Sequence, residues 1–496
     1  MVGFDTNVLI RVLAGDDPAQ TKKAEKAFVT HATGDGVFVS LVVLAEIGWV
    51  LATAYDWPRA TIHARVRQLV RTRGVAVEDL ALVEEALAGN LDLKASLARV
   101  EAARAQVLLA QSYLAPDVNA GVAPSRSRIS AVTSPPLPAG SQLVSNDFRA
   151  AIEMSYELDV WGKYRSGALA ATNDLVAARY YREAVRVAVA ADVASAYFRL
   201  RAADAELAVL EDTLKLRTET VTLQRDRFDG GIIGEYDLRT AEAERSAVVA
   251  DIARAKSAIG QLESALATLT GRPPRAVFAP EIARGATIDA VAAVPRLPDA
   301  LPASLVERRP DIRRAEALLA ASDLRIQQAR ADYFPQIRLG LFYGSEAATT
   351  GALFSGPATI WNLALGLVQP LIALKAIESQ VELARANNDR ATVEYVQVVQ
   401  VAFREVHDAL VANRGARDAL AAESARRDQI AKAYEIAQLR YDAGRTSFLE
   451  VIDAQRQLLA AETLRIAAAR NAKLSTVDFA KALGGGWSPE QFAAAR

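Results

Sequence analysis

The chain has 496 residues, half of them apolar but only 6% aromatic, with a formal net charge of −1 and no cysteine. Without cysteine there are no disulfides, no thiolate metal sites and no Cys to lipidate, and the near-zero charge gives no general attraction to nucleic acid or an acidic membrane surface. His31, His63 and His407 are scattered, which argues against a zinc site or a catalytic triad, and no run of 18 apolar residues suggests a transmembrane helix. That test does not reach a β-barrel, whose strands alternate.

Residues 1–80 read as a small α/β segment. Val2-Gly3-Phe4 is a short apolar run ahead of Asp5-Thr6-Asn7. A helical pattern follows through Val8, Leu9, Val12 and Leu13, and Pro18 opens another to about His31. Val37-Phe38-Val39 predicts a second strand. Leu41 to Ala54 predicts a third helix, apolar except for Glu46, and a carboxylate on an apolar face calls for a partner or a metal. The motif Phe4-Asp5-Thr6-Asn7-Val8-Leu9, with Glu46 after Ser40-Leu41-Val42-Val43-Leu44-Ala45, resembles the start of a PIN-domain ribonuclease of the VapC-like toxin kind. The resemblance implies Asp5 and Glu46 as ligands of Mg²⁺ or Mn²⁺, hard cations that want oxygen. The second half of that family, with its remaining acids, has no counterpart, because the pattern changes after Gly74-Val75-Ala76-Val77-Glu78. A truncated, degenerate remnant is expected, with no nuclease activity and no nucleic-acid partner. Met1 to Gln20, with Asp5, Asp16 and Asp17 and no basic stretch before an apolar core, does not read as a secretory signal.

The seam with the rest of the chain falls near Glu78 to Leu87. From there to Tyr113 one long helix is predicted, stopped by Pro116. Val118, Ala120 and Val122 then alternate with Asp117, Asn119 and Gly121. After a loop containing Ser134-Pro135-Pro136-Leu137-Pro138, Ile152, Met154, Tyr156, Leu158 and Val160 alternate with Glu153, Ser155, Glu157 and Asp159. An unbroken apolar face opposite a polar, acidic one suits a lipid-facing barrel wall with a wet lumen. From Gly162 a helix period runs to Phe228, roughly 100 Å at 1.5 Å per residue. A helix that long must lie against others along its length.

Arg227-Phe228-Asp229-Gly230-Gly231 leads to a return helix from about Tyr236 to Leu269, ended by Gly271-Arg272-Pro273-Pro274. Then the cycle repeats. Arg309-Pro310-Asp311-Ile312 opens a helix that stops at Pro335. Ile337, Leu339 and Leu341 give a third strand, and Leu363, Leu365 and Leu367 a fourth. A second very long helix runs from about Ala373 to Tyr441 and a return helix reaches Leu483. The turn recurs as Arg440-Tyr441-Asp442-Ala443-Gly444, 213 residues on (227 to 440) and without a gap. Gly231 and Gly444 are residues that let a chain leave one helix and turn back, so each marks the tip of a helical hairpin. The chain divides into repeats at 81–271 and 302–487, a Pro-rich linker at 272–301 and a tail at 488–496. Four strands cannot close a barrel, and an open lipid-facing edge is not tolerated. Cyclic assembly is therefore expected, three chains giving twelve strands.

Four segments then resemble a known family: Tyr156-Glu157-Leu158-Asp159-Val160-Trp161-Gly162; Glu307-Arg308-Arg309-Pro310-Asp311-Ile312; the second tip with Leu449 to Gln455; and Ala482-Leu483-Gly484-Gly485-Gly486-Trp487. Over roughly residues 82–490 the chain is similar to the TolC-like outer-membrane channels of tripartite efflux pumps, in the subgroup that serves resistance-nodulation-division pumps. The resemblance implies an α+β fold: a homotrimer with a twelve-stranded barrel in the outer membrane and a long-helix barrel across the periplasm. It implies a periplasmic adaptor, an inner-membrane pump and the lipid bilayer as partners, and no enzymatic chemistry or cofactor. It also implies a gate at Leu449 and Asp453, one apolar and one acidic ring about the threefold axis. Four residues apart, they share a helix face. The first-repeat counterpart of Asp453 is the uncharged Thr240. The subgroup's signal and acylated Cys, and the Gly expected near Ile372-Ala373-Leu374-Lys375, have no counterpart. The competing readings are an active PIN ribonuclease, a non-exported fusion product and a soluble coiled-coil scaffold.

Overall fold

The computed structural model of the chain describes residues 2–3, 6–14, 18–33, 37–39, 61, 65, 69, 75–77, 80–130, 132, 138, 140, 142–285, 287–289 and 309–484. There are two compact units. One comprises Met1–Ser96, Arg182–Pro310 and Val399–Arg496, the other Leu97–Tyr181 and Asp311–Val398.

The first unit begins with β1 (Val2–Gly3), α1 (Thr6–Ala14), α2 (Pro18–Thr33), β2 (Val37–Val39) and β3 (Val75–Val77). The strands pair in parallel in the order β1-β2-β3. Parallel pairing needs a crossover, and α1 and α2 lie between β1 and β2 in the chain. The third strand adds to the expected elements, since Val75-Ala76-Val77 is too short an apolar run to announce itself. The expected helix at 41–54, Asp5 and Glu46 lie outside the described residues.

Two helices, α3 (Leu80–Gly89) and α4 (Leu91–Ser112), stand where one was predicted. The break is at Asn90. Its Oδ1 accepts from the Leu93 N–H at 3.0 Å, and its Nδ2 donates to the Leu269 carbonyl at 2.9 Å. A side chain that satisfies an amide of the next turn starts a new helix. Gly89 permits the approach, because a Cβ there would lie 2.2 Å from the Thr270 carbonyl oxygen.

The long elements are α5 (Lys163–Asp229, 67 residues) and α6 (Glu235–Leu269, 35 residues). After α7 (Pro274–Phe278) and α8 (Pro310–Ala331) come α9 (Leu374–Asp442, 69 residues) and α10 (Phe448–Ala482, 35 residues). The short α7 interrupts the stretch expected to be irregular. In the first unit, Leu82, Ala86, Val193, Leu200 and Leu266 form one core layer. Leu210, Val248 and Ile252 form a second, and Val221, Ala241, Phe448 and Ile452 a third. In the second unit, Val100 and Val107 pack on Ala171 and Leu175. Alanine at such positions loses no rotamer freedom on burial.

The second unit also holds a sheet of β4 (Asp117–Arg128), β5 (Val144–Glu157), β6 (Gln336–Ala347) and β7 (Thr359–Val368). All pairs are antiparallel, in the order β4-β5-β6-β7. β5 stops at Glu157, earlier than its alternation suggests, although the Leu158 N–H still donates to the Ile337 carbonyl of β6 at 2.8 Å. Asp159 is no lumen carboxylate: its two oxygens accept from the N–H groups of Tyr164 and Arg165 at 3.1 and 2.8 Å, capping α5.

Arg272 ties α3 to the end of α6, donating through Nε and Nη2 to the Glu85 carboxylate at 2.7 and 2.9 Å. That hydrogen bond, against the opposing effect of burial, holds Glu85 below the ordinary glutamate range. A lowered carboxylate contributes stability above its unfolded pKa and loses it as pH falls through the native one. Protection of the Leu80–Gly89 amides, measured against their intrinsic exchange rate, is therefore expected to fall as pH drops below the ordinary glutamate range, and Glu85→Gln to abolish that acid-dependent step. An unchanged pH profile in the variant would refute the assignment.

Candidate functional site

The register of the four strands brings their apolar residues onto one face. Val118 lies opposite Met154, Met154 opposite Leu341, and Leu341 opposite Leu363; the next row is Ala120, Ile152, Tyr343 and Trp361. Directly opposed residues in an antiparallel sheet share a face. This face is largely exposed, with Leu363, Leu365 and Leu367 all more than half accessible. The other face is polar. Arg149 lies 3.2 Å from Glu153 and stacks 4.5 Å over the Phe342 ring, and Arg338 lies 3.5 Å from Glu157. At both edges, β4 and β7 have no further strand partner among the described residues.

At the sheet-to-helix junction, Trp161 stacks on Phe334 at 4.7 Å and donates from Nε1 to the Pro335 carbonyl at 2.7 Å. Lys163 meets Asp332 at 2.7 Å. Burial works against the Lys163 charge, but Asp332 more than offsets it and raises the pKa.

Both hairpin tips in the first unit close alike. The Gly231 N–H donates to Phe228 O at 2.9 Å and the Ile232 N–H to Arg227 O at 2.8 Å. The Gly444 N–H donates to Tyr441 O at 2.9 Å and the Arg445 N–H to Arg440 O at 2.8 Å. Gly231 and Gly444 have φ of 68° and 69°, a region costly to any residue with a Cβ.

Leu449 and Asp453 lie on the exposed side of α10, Leu449 being 56% accessible, while Phe448, Val451 and Ile452 turn inward. Asp453 accepts from Gln457 Nε2 at 2.6 Å. Of the counterparts, Tyr236 is exposed and Thr240 half-buried, and Thr240 returns its hydroxyl to the Tyr236 carbonyl.

Beneath these residues is a polar core that sequence reasoning missed. Fully buried Gln224 donates to the Tyr441 hydroxyl at 2.9 Å and Arg227 does so at 2.5 Å. Arg217, only 2% accessible, shares Glu244 with Arg456; Glu244 lies 3.5 Å from Arg217 and 2.8 Å from Arg456 Nε. Burial pushes the Arg217 pKa down, Glu244 opposing it, whereas the hydrogen bond to Glu244 raises that of Arg456. The one available signal was the offset: Tyr441 replaces Phe228, adding a hydroxyl to an otherwise equivalent turn. Among the described residues no group of three His, Asp or Glu side chains is placed to hold a metal ion.

The signature of the outer membrane efflux protein family matches residues 82–272 and 301–485. The toluene efflux pump outer membrane protein TtgF of Pseudomonas putida is 31% identical over 454 residues, covering 89% of this chain and 91% of its own. The CmeC outer membrane channel of Campylobacter jejuni superposes with a TM-score of 0.80 at 26% identity, covering 84% of this chain and 88% of its own. The open state of the MtrE outer membrane channel of Neisseria gonorrhoeae gives 0.73 at 30% identity over 82% of this chain and 88% of its own.

Tyr441→Phe removes the acceptor of two donors, one fully buried, and is expected to cost roughly 1–3 kcal/mol in urea unfolding. Phe228→Tyr, which adds a hydroxyl at the equivalent turn, should bring no comparable gain. Equal stabilities for Tyr441→Phe and the parent would remove the polar core from the account of the tip.

Proposed function

Because this chain belongs to the outer membrane efflux protein family and is an outer-membrane efflux channel, we propose that it works as one third of a homotrimeric conduit for small molecules. The sheet is the observation that carries this reading. Its exposed apolar face suits hydrocarbon, but its free β4 and β7 edges do not. Pairing β7 of each copy with β4 of the next closes twelve strands and turns Arg149, Glu153, Glu157 and Arg338 to the lumen. The helices then cross the periplasm toward an adaptor and an inner-membrane pump, which complete a tripartite path. The conduit is passive, since nothing in this reading asks the chain to make or break a bond.

Leu449 and Asp453 form the gate in this reading. Their exposure on one chain supports it, because a surface left bare in the protomer is available to a threefold axis. Three Leu449 side chains would narrow the passage, and three Asp453 carboxylates would repel one another and draw cations. For residues 1–80 the reading is a PIN-like remnant, supported by the parallel β1-β2-β3 sheet with its two helices.

Reconstitution of the purified chain in planar bilayers tests the conduit and its gate. Leu449→Ala should enlarge the resting conductance, and Asp453→Ala should weaken cation preference, while Thr240→Ala leaves that preference nearly intact. Equal effects at 240 and 453 would move the charged gate elsewhere, and detergent-stable trimers that never conduct would end the conduit reading. The facing of the wall is tested separately. Leu341→Arg, at mid-sheet on the apolar face, is expected to cost about 2–4 kcal/mol in a lipid-facing position. Glu153→Arg should instead change ion selectivity, and the reverse pattern would invert the barrel.

A further inference from the structure

The apolar sheet face carries no charge until its far end. Following the register from the helix side outward, the last uncharged row is Pro124, Phe148 and Ala347. The next row holds Arg126 opposite Asn146, and the one after it Arg128 opposite Val144. Arg126 and Arg128 alternate with Ser125 and Ser127, so both share the face of Val118, Ala120 and Val122. Every other charged strand residue, from Asp117 and Asp147 to Glu346, is on the opposite face. Both arginines are exposed, and neither forms an ion pair among the described residues.

Spacing fixes their depth. From Ile337 to Ala347 the apolar-facing positions of β6 cover about 34 Å along the strand at ~3.4 Å per residue. At a tilt of ~40° this is about 26 Å along the membrane normal, close to the ~25 Å apolar band of outer-membrane barrels. Arg126 therefore stands one row beyond the hydrocarbon edge. α4 and α5 join the opposite end of the sheet, so in a channel whose helices fill the periplasm the arginines sit at the outer leaflet.

We infer that Arg126 and Arg128 form a docking site for the phosphate of an outer-leaflet lipid headgroup, an inference that rests on the channel reading above. Two guanidinium forks one row apart present paired donors to phosphate oxygens, and no carboxylate shares their sheet face among the described strand residues. An arginine at this depth, beside the interface, costs little by itself and gains from an anionic headgroup. The site would fix the height of the barrel in its bilayer by charge as well as by apolar area.

The full chain, purified as a trimer, is titrated with diphosphorylated lipid A, with its dephosphorylated form and with inorganic phosphate, and retained lipid is read by native mass spectrometry. Phosphorylated lipid should bind in preference, and the R126Q/R128Q double variant should bind it about tenfold or more weakly. R126K/R128K keeps the charge and should stay within a few-fold of the parent, as should Arg104→Gln, which removes a guanidinium from the surface of α4. Equal binding by the parent and the R126Q/R128Q variant, or by both lipid forms, overturns the inference. Displacement of the lipid by millimolar inorganic phosphate overturns it too, leaving a free-anion site. Bilayer conductance of the same preparations separates the two readings. A parent that conducts without phosphate preference sinks this site alone, whereas a parent that neither trimerises nor conducts sinks the channel and the site together.

Discussion

Backbone hydrogen bonds have no substitute in hydrocarbon, because no water is there to replace a missing partner. The meander β4-β5-β6-β7 satisfies its inner ladders within one chain and leaves its two outer ones unmet among the described residues. An exposed apolar face makes the difficulty sharper, since the environment that suits those side chains is the one that punishes bare amides. Closure by further copies resolves both demands with no new element. In the proposed trimer, a symmetric assembly and a lumen lined by the opposite face would both follow from that constraint.

The tips show how a duplicated backbone can carry unequal chemistry. Gly231 and Gly444 take the same φ, and the hydrogen bonds that close the two turns match within a tenth of an ångström. Side chains at equivalent positions diverge: Phe228 against Tyr441, Tyr236 against Leu449, Thr240 against Asp453. Backbone geometry holds each turn in place, so substitutions around it are free to set contacts and charge. Tyr441 exploits that freedom by reaching Gln224 and Arg227 on the other hairpin.

Much of this was legible in the sequence because the signals were periodic and long. Helices of 67 and 69 residues leave a pattern no loop can imitate, and the glycine-marked turns recur at one spacing. The sheet's apolar face was visible as alternation in single strands, although the register that aligns four of them was not. Boundaries failed where a single side chain decided them. Asn90 splits a helix by capping the next one, and Asp159 ends a strand by doing the same for α5. In each case a local polar contact overrode a periodic pattern. The polar core around Arg217 and Glu244 was invisible because its members come from separate helices and no spacing rule links them.

The junction bond from Trp161 to the Pro335 carbonyl joins residues 174 positions apart, and the β5–β6 ladder beside it spans a similar stretch. Between those strands lie the first helical hairpin, the linker with α7, and the start of the second repeat. Such a pairing has high contact order, and its loop-closure entropy must be met before its own hydrogen bonds repay it. Helices form locally and fast, so the intervening hairpin can shorten the effective loop before the strands meet. Connectivity therefore favours an order of events: helical hairpin first, central strand pair next, outer edges last. In the proposed trimer, the strands would then close on one another only after the helices between them have folded.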